Sequence, residues 1–123
     1  MISGVVSGDR QAIISLRVRG YANRGQDVDA IIDTGFDGWL SLPASILALL
    51  GLVWRGRGRA LLADGSESFF DIYEATVVWD GHARRIAVDE AETASLVGMG
   101  LLEGYEVTIQ VQPGGSVTIS NLP

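Results

Sequence analysis

The stretch Ala30-Ile31-Ile32-Asp33-Thr34-Gly35-Phe36-Asp37-Gly38-Trp39-Leu40-Ser41-Leu42-Pro43 decides how this chain reads. A short apolar run ends abruptly in a carboxylate, a hydroxyl and a glycine, and a second apolar run follows. The run before Asp33 reads as a short buried strand. The flanks shield Asp33 from bulk water, a setting in which proteins tune carboxyl groups for chemistry. Thr34 carries a hydroxyl that can fasten the loop. Gly35 lets the backbone turn tightly and approach a neighbour closely. Taken alone, the tripeptide also reads as an ordinary turn after a buried strand.

Strand signals dominate on both sides. Ala12 to Val18 alternates in part, a turn follows over Gly20 to Gly25, and Val28 to Ile32 is a short buried run. Ala60 to Ala63 and Phe69 to Trp79 read as two arms of a hairpin around Asp64-Gly65. Asp80-Gly81 is a second turn, leading into His82 to Val88. Tyr105 to Val111 and Ser116 to Ser120 flank Pro113-Gly114-Gly115 as a further hairpin. Pro43 to Leu50 predicts a short helix, with proline at its first position and Gly51 as its stop. Met99 to Glu103 allows one more helical turn. Asp89 to Ala94 reads as a loop or one helical turn. The 16 glycines and regularly spaced turns favour an all-β domain over alternating βαβ units.

The 123 residues suit a single domain, 1–123, with one core. The absence of cysteine excludes disulfides and thiolate metal sites and is compatible with a cytoplasmic location, the expected one. Met1 to Asp9 lacks the basic start and apolar stretch of a signal peptide, and Ala44 to Leu52 is too short to span a bilayer, so no membrane partner is expected. A net charge of −6 argues against broad nucleic-acid binding. All nine basic residues are arginine. Arg55, Arg57 and Arg59 alternate with glycines, which in an extended segment places them on one face. That face is either an anion or RNA contact or a solvated strand face balancing an acidic protein.

Other chemistries lack their residues. His82 is the single histidine, with no nucleophile elbow near it, and it reads as exposed. Asp27, Asp29, Asp33 and Asp37 lack calcium-loop spacing, so no metal is expected. With no lysine in the chain, a phosphate-binding P-loop is excluded. Trp39, Trp54 and Trp79 read as core or interface residues.

Two later segments stand in order after Asp33-Thr34-Gly35. They are Leu61-Leu62-Ala63-Asp64-Gly65-Ser66-Glu67 and Ser95-Leu96-Val97-Gly98-Met99-Gly100-Leu101-Leu102. Together the three segments resemble a retropepsin-like aspartic peptidase of the small, single-domain bacterial type, over roughly Val28 to Leu102. The resemblance implies a mainly β fold, a closed antiparallel β-barrel of one lobe with one or two short helices. It implies that Asp33, Thr34 and Gly35 form the catalytic loop. Ala63, Asp64, Gly65 and Ser66 would belong to a flap that closes over substrate. Leu96, Val97 and Gly98 would pack behind the loop. Phe36, Trp39, Leu40, Ile72 and Leu101 are candidates for pocket walls. No cofactor is implied.

Carboxylate-driven peptide hydrolysis needs a pair, one group to take a proton from water and one to give a proton toward the carbonyl oxygen. One Asp-Thr-Gly in so short a chain therefore implies a homodimer with Asp33 beside its symmetry mate, acting on a peptide or protein substrate. Thr34 would then bond across the axis to the other loop. The sequence also departs from the family. Phe36 stands where retroviral members usually have alanine. Met99 stands in place of an arginine, leaving Asp37 without that partner, and Gly100 replaces Asp or Asn. The C-terminal hairpin is longer than a single terminal strand, so the dimer interface is expected to be built differently. Two other functions compete: a catalytically silent dimeric binding module on the same fold, and an RNA contact through Arg55, Arg57 and Arg59.

Overall fold

A computed structural model describes residues 1–92 and 94–123. The chain forms β1 (Ile2–Val6), β2 (Ala12–Arg19), β3 (Gly25–Ile32), β4 (Leu40–Pro43), α1 (Ala44–Leu50), β5 (Val53–Leu61), β6 (Glu67–Trp79), β7 (His82–Ala91), β8 (Leu96–Val97), α2 (Met99–Leu102), β9 (Tyr105–Ile109) and β10 (Ser116–Asn121). In β2, Ile14, Leu16 and Val18 are buried while Ser15, Arg17 and Arg19 face water. That period of two is what a half-buried strand requires.

The strands run in the order β5-β6-β7-β4-β8-β3-β2-β1-β10-β9. The edge of β2 is shared: its residues 12–14 pair with β1, and Arg17–Arg19 pair with Val78–Thr76 of β6. The second pairing closes a six-stranded barrel of β2, β3, β8, β4, β7 and β6, and β1, β10 and β9 continue outside it. Most pairs are antiparallel, and β3–β8 and β4–β7 are parallel. Leu40, Leu42, Val97, Leu101, Ile119 and the full Trp79 ring fill the interior. Among the described residues no helix is long and apolar enough to cross a membrane.

Several boundaries differ from the sequence reading. The first arm of the hairpin is Val53–Leu61 rather than Ala60 to Ala63, and it carries the three arginines. Pro43 ends β4 with extended backbone and caps α1 instead of opening it, while Gly51 terminates the helix in the left-handed conformation at φ 58°. Residues Asp89, Glu90 and Ala91 extend β7, because Ser41, Leu42 and Pro43 pair with them in parallel. The expected loop or helical turn there is therefore strand to Ala91, and Thr93 lies outside the described residues. Strand β9 stops at Ile109, since Gln112 and Gly115 close a tight turn by donating to the carbonyls of Gln110 and Gln112. Trp79 is core, whereas Trp39 and Trp54 are exposed.

Candidate active site

Strand β3 delivers Asp33 to the end of the barrel. The Ile31 N–H donates to Ser95 O and the Asp33 N–H to Val97 O, both at 2.9 Å. The chain then folds back on itself: Phe36 N–H donates to Asp33 O at 3.2 Å, and Gly35 N–H donates to Asp33 Oδ1 at 2.9 Å. An aspartate side chain that accepts from the backbone two residues on is a turn-former. Gly35 does not adopt a left-handed conformation. A Cβ on it would stand 3.2 Å from Asp33 Oδ1, so its smallness serves closeness to the carboxylate. Asp33 is half-buried, and Thr34 and Gly35 are exposed.

The loop is strapped from behind. Met99 N–H donates to Phe36 O at 2.8 Å, Gly100 N–H to Gly38 O at 2.9 Å, and Gly98 N–H to Trp39 O at 3.0 Å. With the Asp33–Val97 bond, four backbone hydrogen bonds fasten residues 33–39 to residues 97–100. A Cβ on Gly98 would fall 2.2 Å from Gly38 O and 2.7 Å from Phe36 Cδ2. A Cβ on Gly100 would fall 2.9 Å from the same oxygen. Leu96 is half-buried and Val97 fully buried, behind the loop. Leu40 and Leu101 are fully buried core residues and form no accessible pocket wall.

Sequence reading missed Gly38 and Gly100 as parts of this clamp. Their signal was the close glycine spacing in Gly35-Phe36-Asp37-Gly38 and Gly98-Met99-Gly100. It also missed Asp89, whose Oδ2 lies 3.4 Å from the position of a Cβ on Gly38. Burial, and then the negative charge of Asp37, push the Asp89 carboxyl above the ordinary aspartate range. Among the described residues neither Asp37 nor Asp89 joins an ion pair.

The Asp64-Gly65 hairpin tip is closed by its own hydrogen bonds. Leu62 and Ser66 are joined by a backbone bond of 2.8 Å, and Gly65 N–H donates to Leu62 O. Gly65 takes φ 86°, where a side chain would be strained. Asp64 Oδ1 accepts from the backbone N–H and the hydroxyl of Ser66, and these bonds hold its carboxyl below the usual range. Ala63 to Ser66 are exposed to solvent. Along the arms, Arg55 pairs with Glu74 at 3.1 Å, Arg57 with Asp71 at 3.6 Å and Arg59 with Glu67 at 3.4 Å. The expected single arginine face is not formed: the register break between Trp54 and Gly56 leaves Arg57 and Arg59 beside Asp71 and Glu67 on one face of the hairpin and turns Arg55 to Glu74 on the other.

Two clefts flank Thr34. One, of about 490 Å³, is lined by Met99, Leu102, Tyr105 and Val107 as well as Thr34. The other, of about 290 Å³, is lined by Asp33, Thr34, Ile32, Ile109 and Val111 among others. Among the described residues no group of three or more His, Asp or Glu is placed to hold a metal ion.

The fold is similar to two solved structures. The EIAV protease, in complex with the inhibitor HBY-793, superposes with a TM-score of 0.61 at 14% identity, over 77% of this chain and 88% of that one. A retropepsin-like aspartic protease from Rickettsia conorii superposes with a TM-score of 0.60 at 17% identity, over 99% of this chain and 91% of that one. No protein-family model matches the sequence, and no curated protein matches it. The closed barrel, the strapped Asp33 loop and these superpositions together give the chain a retropepsin-like fold.

Proposed function

We propose that this protein is an aspartic endopeptidase that works as a homodimer. The observation that carries the reading is the placement of Asp33-Thr34-Gly35. The motif is offered on an exposed loop, clamped from behind by residues 97–100, in a fold of the retropepsin type.

The chemistry follows from pairing two such loops. One Asp33 carboxylate takes a proton from a water molecule, and the water oxygen bonds to the peptide carbonyl carbon. The other Asp33, protonated, gives its proton to the carbonyl oxygen. Collapse of that adduct breaks the C–N bond, and a proton passes to the departing amine. Two carboxyls this close cannot both ionise, so they share one proton and titrate as a unit, as the paired aspartates of aspartic proteases do. Thr34 of each loop fixes the other across the axis, and Gly35 gives substrate access to the carboxylates. Ala63, Asp64, Gly65 and Ser66 close over the peptide and exclude water. Phe36, expected as a pocket wall, instead lays its ring against Gly38 and Gly98 and lines neither cleft beside Thr34.

A peptide bearing a hydroxyl-centred mimic of the tetrahedral adduct tests the reading directly. It is expected to bind the wild type and lose its affinity for Asp33→Asn. Equal binding to both proteins contradicts the proposed role, and would favour a silent peptide-binding module.

A further inference from the structure

We propose that two copies of this chain meet through the free edge of β9, with each C-terminal hairpin kept whole in its own subunit. The inference rests on the reading of Asp33 as half of a paired site, and it names where the second half comes from.

The terminal strands are already saturated. Strand β1 pairs with β2 and β10, and β10 pairs with β1 and β9. An interface built by exchanging termini would have to break those ladders. The sheet therefore has two ends, β5 and β9.

The two ends are treated differently by the sequence. Natural sheets blunt their edges with charges, bulges and irregular backbone, because an open edge templates pairing with another chain. Strand β5 carries Arg55, Arg57 and Arg59, two glycines and a register break between Trp54 and Gly56. Strand β9, Tyr105-Glu106-Val107-Thr108-Ile109, is continuous, with no proline, glycine or basic residue. Gln110 N–H donates to Ser116 O, and Leu122 N–H donates to Gly104 O. The even-numbered residues thus direct their backbone groups at β10. Antiparallel pairing alternates, so Tyr105, Val107 and Ile109 turn theirs to the open side.

The open edge also borders the candidate site. Both clefts beside Thr34 take a wall from this hairpin, Tyr105 and Val107 in one, Ile109 and Val111 in the other. Ile109 is 36% and Val111 69% exposed, and Met99, in the cleft with Tyr105 and Val107, is also exposed. A second copy laid along β9 continues the sheet, covers these side chains and brings its own Thr34 loop to the first. No other occupant would supply the missing aspartate.

The test is a dilution series of the full chain followed by light scattering, with three variants. Ile109→Pro removes one outward N–H while leaving the even-numbered bonds to β10. Val111→Asp places a charge on the rim, beyond the end of the strand. Val53→Asp makes the same change on β5. The wild type is expected to be dimeric, and the two hairpin variants to raise the dissociation constant at least about tenfold with an unchanged circular dichroism spectrum. Val53→Asp is expected to dimerise normally. If Ile109→Pro fails to fold, Val111→Asp decides. A monomeric wild type, folded hairpin variants that dimerise like the wild type, or a dimer split by Val53→Asp overturns the proposal. A β9-dependent dimer without peptidase activity overturns only the proposed function. A peptidase dimer indifferent to the hairpin substitutions overturns only the interface.

Discussion

Gly98 packs backbone to backbone against Gly38: a Cβ on Gly98 would stand 2.2 Å from the Gly38 carbonyl oxygen. No side chain fits at that distance, so one of the two segments would have to move. The Asp33 loop and the segment after β8 are held together by this contact and by the four backbone bonds beside it. Gly98→Ala is therefore expected to destabilise the fold by about 1–3 kcal/mol, the usual cost of overpacking. The control is Gly8→Ala, where nothing lies within 4 Å of the added methyl. Denaturant unfolding of the two variants checks this, and equal stability would show that the contact is soft.

Asp89 makes stability depend on pH. Its carboxyl is raised by burial and by the charge of Asp37, so the folded state holds that proton more tightly than the unfolded state. Its contribution to stability is accordingly largest in acid and falls as pH rises through the unfolded and then the folded value. Asp89→Asn removes the ionised form. The variant is expected to melt above the wild type at neutral pH, with the difference closing below about pH 4. A variant less stable at neutral pH would mean that the Asp89 charge has a favourable partner.

The alternation Arg55-Gly56-Arg57-Gly58-Arg59 has a packing reason. Arg57 and Arg59 share a face with Asp71 and Glu67. Gly58 faces the other way and lies against the Phe70 ring, which a Cβ would meet at 2.5 Å. Gly58→Val is expected to displace Phe70 and cost about 1–3 kcal/mol. Arg57→Gln, at an exposed ion pair, is expected to leave the melting temperature almost unchanged. Thermal melts of the two variants distinguish these roles, and a larger loss for Arg57→Gln would assign stability to the charges instead.

Much of this architecture could be read from local pattern. The alternation in β2, the Asp64-Gly65 turn, the Gly51 stop of α1 and the C-terminal hairpin each carry their cause within a few residues. The strands that went unread, β4 and β1, are four and five residues long. They exist because a distant partner completes their backbone bonds. Leu96 and Val97 become a strand only between β3 and β4, and Asp89 to Ala91 stay extended only because β4 lies beside them. The same holds at the candidate site. Asp33, Thr34, Gly35 and Gly98 announce themselves as a motif, whereas Gly38, Gly100 and Asp89 matter through contacts made after folding.

Whether Asp33 is a paired catalytic acid is decided by cleavage of an unstructured protein such as casein across pH, for wild type and Asp33→Asn, with mass measured by light scattering in parallel. A dimeric wild type is expected to cleave best in mildly acidic solution, where the paired carboxyls hold one proton. Asp33→Asn is expected to keep the fold and the dimer and to lose at least about a thousandfold in rate. A folded dimer that cleaves nothing at any pH, or an Asp33→Asn variant that cleaves like the wild type, would contradict the paired-aspartate mechanism.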